Sequence, residues 1–422
     1  MKADEGVLQG RDAVEVIPAA RRLISSLRDM GYEFSTAIAD LVDNSIEAGA
    51  SRIDIDVEFE GEESWVRIVD NGRGMTPAAL REALRYGSTR DYAREDLGKF
   101  GLGMKVASLS QCRHLTVASR ANLDRADMSA YCWDLDHIEN TNRWELLAVA
   151  RDEETIRVFV PLRDSTGTVV LWRKLDRILG FQHPDGESAR RRLSAMIREA
   201  AGHLSMVFHR LLAGETAGRR LSIRINGTPI DPWDPFARDE AATKRLAPLQ
   251  LQVIHGGVRG TLALEPFVLP HQSAFSSPDA FKRASGPANW NQQQGFYVYR
   301  ANRLIQAGGW CRIRTLDEHT KLARVALRFS PQLDEALRVN VSKMRVEIPS
   351  GMREQISELV VPVLKLANVA YRKNGGGGHV ARPTSAKPSR LSLHRIAKSL
   401  LAVATAEERK VIRRVVARLD DG

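Results

Sequence analysis

The segment Ala39-Asp40-Leu41-Val42-Asp43-Asn44-Ser45-Ile46-Glu47 places a carboxylate and a carboxamide four residues apart. On a helix Asp40 and Asn44 project from one face, with Asp43 and Glu47 beside them. A carboxylate can orient and deprotonate a water, and a carboxamide oxygen is a hard ligand for a small divalent cation. A second feature follows a strand-like run, Trp65 to Val69, which leads directly into Asp70-Asn71-Gly72-Arg73-Gly74-Met75. Two glycines there let the backbone turn sharply and come close to a flat ligand. Third, Gly98-Lys99-Phe100-Gly101-Leu102-Gly103-Met104-Lys105 is a glycine segment opening a helix, whose free N–H groups and positive dipole end suit phosphate oxygens. Taken singly, the three also match a solvated helix face, an ordinary turn and a lone GxxGxG. No strand precedes the glycine segment as it would in a dinucleotide fold, and GxxxxGK[ST] is absent.

These residues must be held by the elements around them. Apolar spacing predicts helices over 19–30, 34–48, 77–86 and 104–111, with Ser35 and Thr76 as N-caps and Pro77 in the first turn. Alternation predicts strands over 52–59, 65–69, 114–119, 144–151, 155–161 and 167–172, so helices precede and interrupt a largely antiparallel sheet, an α+β class. Residues 184–211 read as a connecting helix with arginines on one face. A second strand-rich region runs from Leu221 to near Ile348, a helix covers 353–371, 373–390 is a Gly- and Pro-containing linker, and 391–419 is a basic helical tail. The predicted domains are therefore 1–185, 186–372, 373–390 and 391–422.

Composition narrows the class. With 43% hydrophobic and 27% charged residues and no apolar run of spanning length, the chain reads as soluble and globular, without contact to a membrane. Its N-terminus is acidic where a signal peptide would be basic, which points to the cytoplasm. Cys112, Cys132 and Cys311 are too scattered for a disulfide framework or zinc site. A net charge of +10 favours a polyanionic partner.

The ordered combination of the three motifs, followed by Gly167-Thr168 at the start of a strand, resembles the GHKL ATPase superfamily (gyrase B, heat-shock chaperone ATPases, histidine kinases and MutL). The likeness is greatest to its MORC and MutL branches and covers roughly residues 20 to 350. It implies an ATP-binding α/β sandwich, with helices on one face of a mixed, mostly antiparallel sheet, followed by a transducer domain of the ribosomal-protein type. By the same resemblance Asn44 would bind Mg²⁺. Asp70 would accept a hydrogen bond from the adenine amino group, helped by a water shared with Thr168, with Gly72, Gly74 and Met75 lining the base. Gly98, Gly101, Leu102, Gly103 and Met104 would form the lid and phosphate cradle, with Ser88 and Thr89 helping to close it and Lys105 adding charge. Asp40 would be the base, where the family usually has a glutamate; one methylene less implies slow hydrolysis. Asp43, rotated off the Asn44 line, is the second choice.

In Leu337 to Val346, Lys343 matches the transducer lysine that reaches the γ-phosphate and would serve catalysis. The family also implies ATP-dependent homodimerisation through residues 1–30, action on DNA through the basic surface, and a partner effector protein. The expected function is thus an ATP-hydrolysing switch in repair, chromosome organisation or defence. An ATP sensor with negligible turnover and a chaperone-like clamp remain as alternatives. A histidine kinase fits worst, since no helix bearing a phosphoacceptor histidine precedes the site.

Overall fold

Alternation in the strands around Ile68, Val117 and Val170 gives one sheet two unlike faces, and what covers each face sets the architecture. The computed structural model of the protein describes residues 17–29, 31–87, 103–123, 128–149, 156–180, 183–216, 220–255, 257–287, 289–334, 336–337 and 346–372. Its first lobe runs α1 (Ala20–Arg28), α2 (Phe34–Glu47), β1 (Arg52–Glu58), β2 (Trp65–Asp70), α3 (Pro77–Leu84), α4 (Gly103–Leu109), β3 (His114–Arg120), β4 (Ser129–Asp134), α5 (Leu135–Thr141), β5 (Leu147–Ala148), α6 (Ile156–Phe159), β6 (Gly167–Arg173), α7 (Glu187–Val207), α8 (His209–Leu212), β7 (Ser222–Ile225) and β8 (Thr228–Pro229). The sheet order is β5-β4-β3-β6-β2-β1-β7-β8, and every pair is antiparallel except β1 with β7.

On one face Val66, Ile68, Leu115, Val117, Val170 and Trp172 pack with apolar residues of α1, α2, α4 and α7. Phe34 meets Trp172 edge-on at 6.2 Å. That docking starts α2 at Phe34, so the predicted N-cap Ser35 is buried inside the first turn and Glu33 holds the cap position. Thr76 does cap α3, accepting the Ala79 N–H at 3.3 Å, with Pro77 in the first turn. On the other face Trp65, Ala118, Val169 and Leu171 are covered by Val158, Phe159 and Leu162. The strand predicted over 155–161 is instead α6 and a 3-10 turn, Val160–Leu162. Winding lets all three apolar side chains reach the back of the sheet, where a strand would send Phe159 away from its neighbours. Apart from this short winding, the helices α1 to α5 and α7 pack in the core on the first face.

The predicted boundary near residue 185 is also corrected. Ala189, Leu193, Ala200 and Leu204 of α7 belong to the first core, and β7, read as opening the second region, pairs with β1 from Arg52 opposite Ser222 to Ile55 opposite Ile225. A parallel pair needs a crossover, and α7 lies within that connection.

The second lobe comprises β9 (Lys244–Arg245), β10 (Leu249–His255), β11 (Val258–Val268), α9 (Pro278–Ala284), β12 (Gly295–Arg300), β13 (Arg303–Ala307), β14 (Ala323–Phe329) and α10 (Ser350–Arg372). Its sheet runs β10-β11-β14-β12-β13, with β9 on β11. Phe267, Tyr297, Tyr299, Val325 and Leu327 share its core with Ile356 and Val360 of α10. The predicted strand-turn-strand at Gly295 to Ile305 is the β12–β13 hairpin, which turns through Ala301 and Asn302 at φ 48° and 67°. The described parts of both lobes belong to one compact unit ending at Tyr371. Residues 1–16, the linker 373–390 and the tail 391–422 lie outside the described residues. Among those described, no helix is long and apolar enough to cross a membrane. Cys112, Cys132 and Cys311 are free thiols.

Candidate functional site

Register brings three polar residues into one row. Asp70 of β2 pairs with Thr168 of β6, and Thr168 pairs with Ser119 of β3. Two and four residues back, the same strands carry the apolar rows Ile68-Val170-Val117 and Val66-Trp172-Leu115, so this row lies on the helix-covered face where core would otherwise continue. Asp70 is 8% exposed. Its Oδ1 accepts the N–H groups of Gly72 at 2.9 Å and Thr168 at 3.2 Å, and its Oδ2 accepts the Ser45 hydroxyl of α2 at 3.0 Å. Burial raises the Asp70 pKa, and these three bonds oppose the rise without cancelling it. A carboxylate offers about four acceptor positions, so Asp70 has room for one more donor.

Ser119 ties the surrounding backbone together. It accepts the Met75 N–H at 2.9 Å, reaches the Gly167 carbonyl at 2.9 Å and meets the Thr168 hydroxyl at 3.0 Å. Gly74 and Gly167 have φ of 62° and 144°. A Cβ on Gly74 would enter the Arg120 carbonyl, and one on Gly167 the Asp70 carbonyl. The space those two glycines leave is thus filled by backbone, whereas a Cβ on Gly72 would press on the Asp70 carboxylate and Ala48.

The second cluster is centred on α2. Asp40 is 4% and Asp43 1% exposed, so they are no part of a solvated helix face, whereas Asn44 is open to solvent. What covers them comes from the second lobe: Arg303 of β13, itself 4% exposed, sets its Nε 2.7 and 2.8 Å from the two Asp43 oxygens and its Nη2 3.9 Å from Asp40 Oδ1. The Tyr32 hydroxyl hydrogen-bonds to Asp40; burial first, then the Asp40 charge, raises the Tyr32 pKa. Gly103, at the start of α4, backs onto the same carboxylate, since a Cβ there would stand 3.9 Å from Asp40 Oδ2. Motifs one and three therefore meet at Asp40.

Lys105 departs from its predicted role. Its Nζ donates to the Ala83 carbonyl at 2.8 Å and lies 5.6 Å from the Tyr86 ring centre. There it closes the C-terminal end of α3, beside the Trp133 indole on the Leu84 carbonyl. Burial pushes its pKa down to about 8. Met104 is half-buried against the first core. Ser88, Thr89, Gly98, Gly101, Leu102 and Lys343 lie outside the described residues. Ser45, Ser119, Tyr32 and Arg303 were not singled out from sequence. Ser119 continues the alternation of Leu115 and Val117, and that pattern could have found it.

Residues 32–168 match the family described as histidine kinase-, DNA gyrase B- and HSP90-like ATPase. The span begins at Tyr32 and ends at Thr168, the same stretch that supplies the Asp70 row and the α2 carboxylates. Over this stretch the chain is similar to the ATPases of the GHKL superfamily. Among curated proteins it is similar to DNA mismatch repair proteins named MutL. It is 29% identical over 240 residues to the DNA mismatch repair protein MutL of Shewanella amazonensis, a match covering 56% of this chain and 33% of that protein. The same-named protein of Klebsiella pneumoniae is 28% identical over 218 residues, covering 50% and 30%. That of Vibrio parahaemolyticus is 36% identical over 123 residues, covering 28% and 18%. The chain spans a third or less of the length of these relatives.

Proposed function

We propose that the protein is a Mg-ATP-dependent switch of the MORC/MutL kind, which hydrolyses ATP at this site and acts on DNA or on a DNA-processing partner. The observation that carries the reading is the Asp70 row: a buried carboxylate, held by Gly72, Thr168 and Ser45, with one acceptor position left for an amino donor such as that of adenine. Asn44 suits Mg²⁺, because its amide is exposed on the same helix that holds Asp40 inward. When bound, the ion would neutralise phosphate charge. Asp40 orients and deprotonates the attacking water, and its shorter side chain makes turnover slow. Glycines 98, 101 and 103 cradle the phosphates, Ser88 and Thr89 assist closure, and Lys343 of the transducer-like second lobe meets the γ-phosphate. ATP binding would close a homodimer through residues 1–30.

For DNA the support is charge: +10 overall, with Arg190, Arg191, Arg192 and Arg198 of α7 exposed. Affinity set by such contacts falls steeply with salt, so a salt titration of duplex binding, with and without ATP, tests this half of the reading. A protein-clamp role would instead give no duplex binding near physiological salt.

Hydrolysis is tested by phosphate release from wild type, Asp40→Glu and Asp40→Ala. Release above the alanine variant, faster still with glutamate, is expected. Equal release from all three would leave an ATP sensor, a reading favoured by one observation, the burial of Asp40 beside Arg303.

A further inference from the structure

We propose that Arg303 is a positioning residue for Asp40: gripping Asp43 from the second lobe and standing beside Asp40, it fixes where the water-activating carboxylate points. The proposal rests on the hydrolytic reading above, and it concerns a side chain 260 residues away from its ion-pair partner.

A carboxylate one methylene shorter than usual has little tolerance for misplacement, so whatever holds it matters. Tyr32, Asp43 and Arg303 are among the described groups near it. The Tyr32 hydroxyl bonds to it from the segment before α2, Asp43 lies one turn along the same helix, and Arg303 arrives from β13. Behind Arg303 stand the Phe208 ring, 5.9 Å from the guanidinium carbon, and His203 of α7, whose pKa burial and the Arg303 charge push down to about 4. A planar guanidinium packed this way is a rigid fork, not a mobile point charge. At neutral pH His203 adds no competing cation.

The hairpin that delivers Arg303 is pinned at both ends. Arg300 is bonded through Nε and Nη2 to Asp334 at 2.8 to 3.1 Å, and both are nearly fully buried. Between Arg300 and Arg303, Ala301 and Asn302 are both left-handed, a conformation that L-residues other than glycine rarely adopt. One arginine therefore anchors the turn in its own lobe and the other anchors it in the nucleotide lobe. Asp334 precedes the stretch that carries Lys343. A shift of the second lobe against α2 would pull on the cage around Asp40, which makes turnover, more than nucleotide affinity, the quantity that senses lobe position.

The test uses the full chain with Arg303→Met, Arg303→Lys and Asp40→Ala. It reads the kcat of phosphate release alongside the affinity for a fluorescent non-hydrolysable ATP analogue. For Arg303→Met the analogue affinity should stay within about threefold of wild type while kcat falls about a hundredfold, the scale of an ångström of misplacement. Arg303→Lys should recover part of that loss. Wild-type kcat in Arg303→Met overturns the proposal. So does a matched loss of affinity and kcat that lysine does not repair, which would mark a merely structural pair. Should Arg303→Met fail to fold, Arg303→Lys decides: reduced kcat at unchanged affinity supports the proposal, and wild-type kcat overturns it. If wild type releases no phosphate above Asp40→Ala, the hydrolytic reading falls and takes the proposal with it. Turnover by wild type and both arginine variants alike removes only the proposal.

Discussion

The two ends of the site are built in opposite ways. Around Asp70, three strands of one sheet, a turn and Ser45 supply every described bond, most of them from backbone N–H and C=O groups whose positions the register fixes. Around Asp40, the contacts are between side chains, Tyr32 from the same lobe and Arg303 from the other. A site for recognising a flat base profits from rigidity, and backbone in a sheet supplies it. A contact that could couple chemistry to lobe position needs a partner outside the lobe that holds it, and Arg303 is on the second lobe.

That contrast can be broken or sharpened by mutation. Asp43→Ala leaves the buried Arg303 without its closest partner and should cost about 3 to 5 kcal/mol of stability by urea unfolding. A loss under 1 kcal/mol would mean that the cross-lobe cage is dispensable. Gly74→Ala forces a Cβ against the Arg120 carbonyl at a left-handed φ, and should lower stability by about 2 to 3 kcal/mol. An unchanged midpoint would show the base-side backbone to be pliable.

Asp70→Asn separates stability from function. Because burial raises the Asp70 pKa in the folded protein, ionising it opposes folding, and that penalty is absent at low pH and complete above the raised pKa. The isosteric amide can keep the Gly72, Thr168 and Ser45 contacts. The variant's melting temperature should therefore exceed wild type at neutral pH and converge on it in acid, while ATP-analogue affinity drops about ten- to hundredfold. Tighter or equal binding would place adenine elsewhere. The smallest effect is expected for Lys105→Met, with analogue affinity changed by less than about threefold, since the ammonium faces Ala83. Its pKa is depressed to about 8 from 10.5, so wild-type stability should rise as pH climbs through that window, and the methionine variant should lose this slope. A tenfold loss of affinity would return Lys105 to the phosphates.

The same contrast explains what was legible in the sequence. Asp40, Asn44, Asp70, Gly74 and Thr168 sit in short motifs whose spacing carries their meaning, and strands β1, β2, β3 and β6 announce themselves by alternation. Arg303 has no local signature, because its partners are on a helix that the chain left long before. The same holds for β7, whose parallel pairing with β1 moved a whole helix and strand across the predicted boundary at residue 185. Ile156, Val158 and Val160 alternate like residues of a strand, and only the apolar back of the sheet, with Trp65, Val169 and Leu171, decides that the segment winds to bring Phe159 in as well. Lys105 was assigned by its distance from a glycine, whereas its direction is set by the open carbonyls of α3.

The most direct test of the central claim, that one end binds and the other hydrolyses, is a paired ATP titration of Asp70→Ala and Asp40→Ala against wild type, reading analogue affinity and phosphate release together. Asp40→Ala should keep wild-type affinity and lose release, and Asp70→Ala should lose affinity at least tenfold. Release retained by Asp40→Ala, or affinity retained by Asp70→Ala, would contradict the division of labour between the two ends.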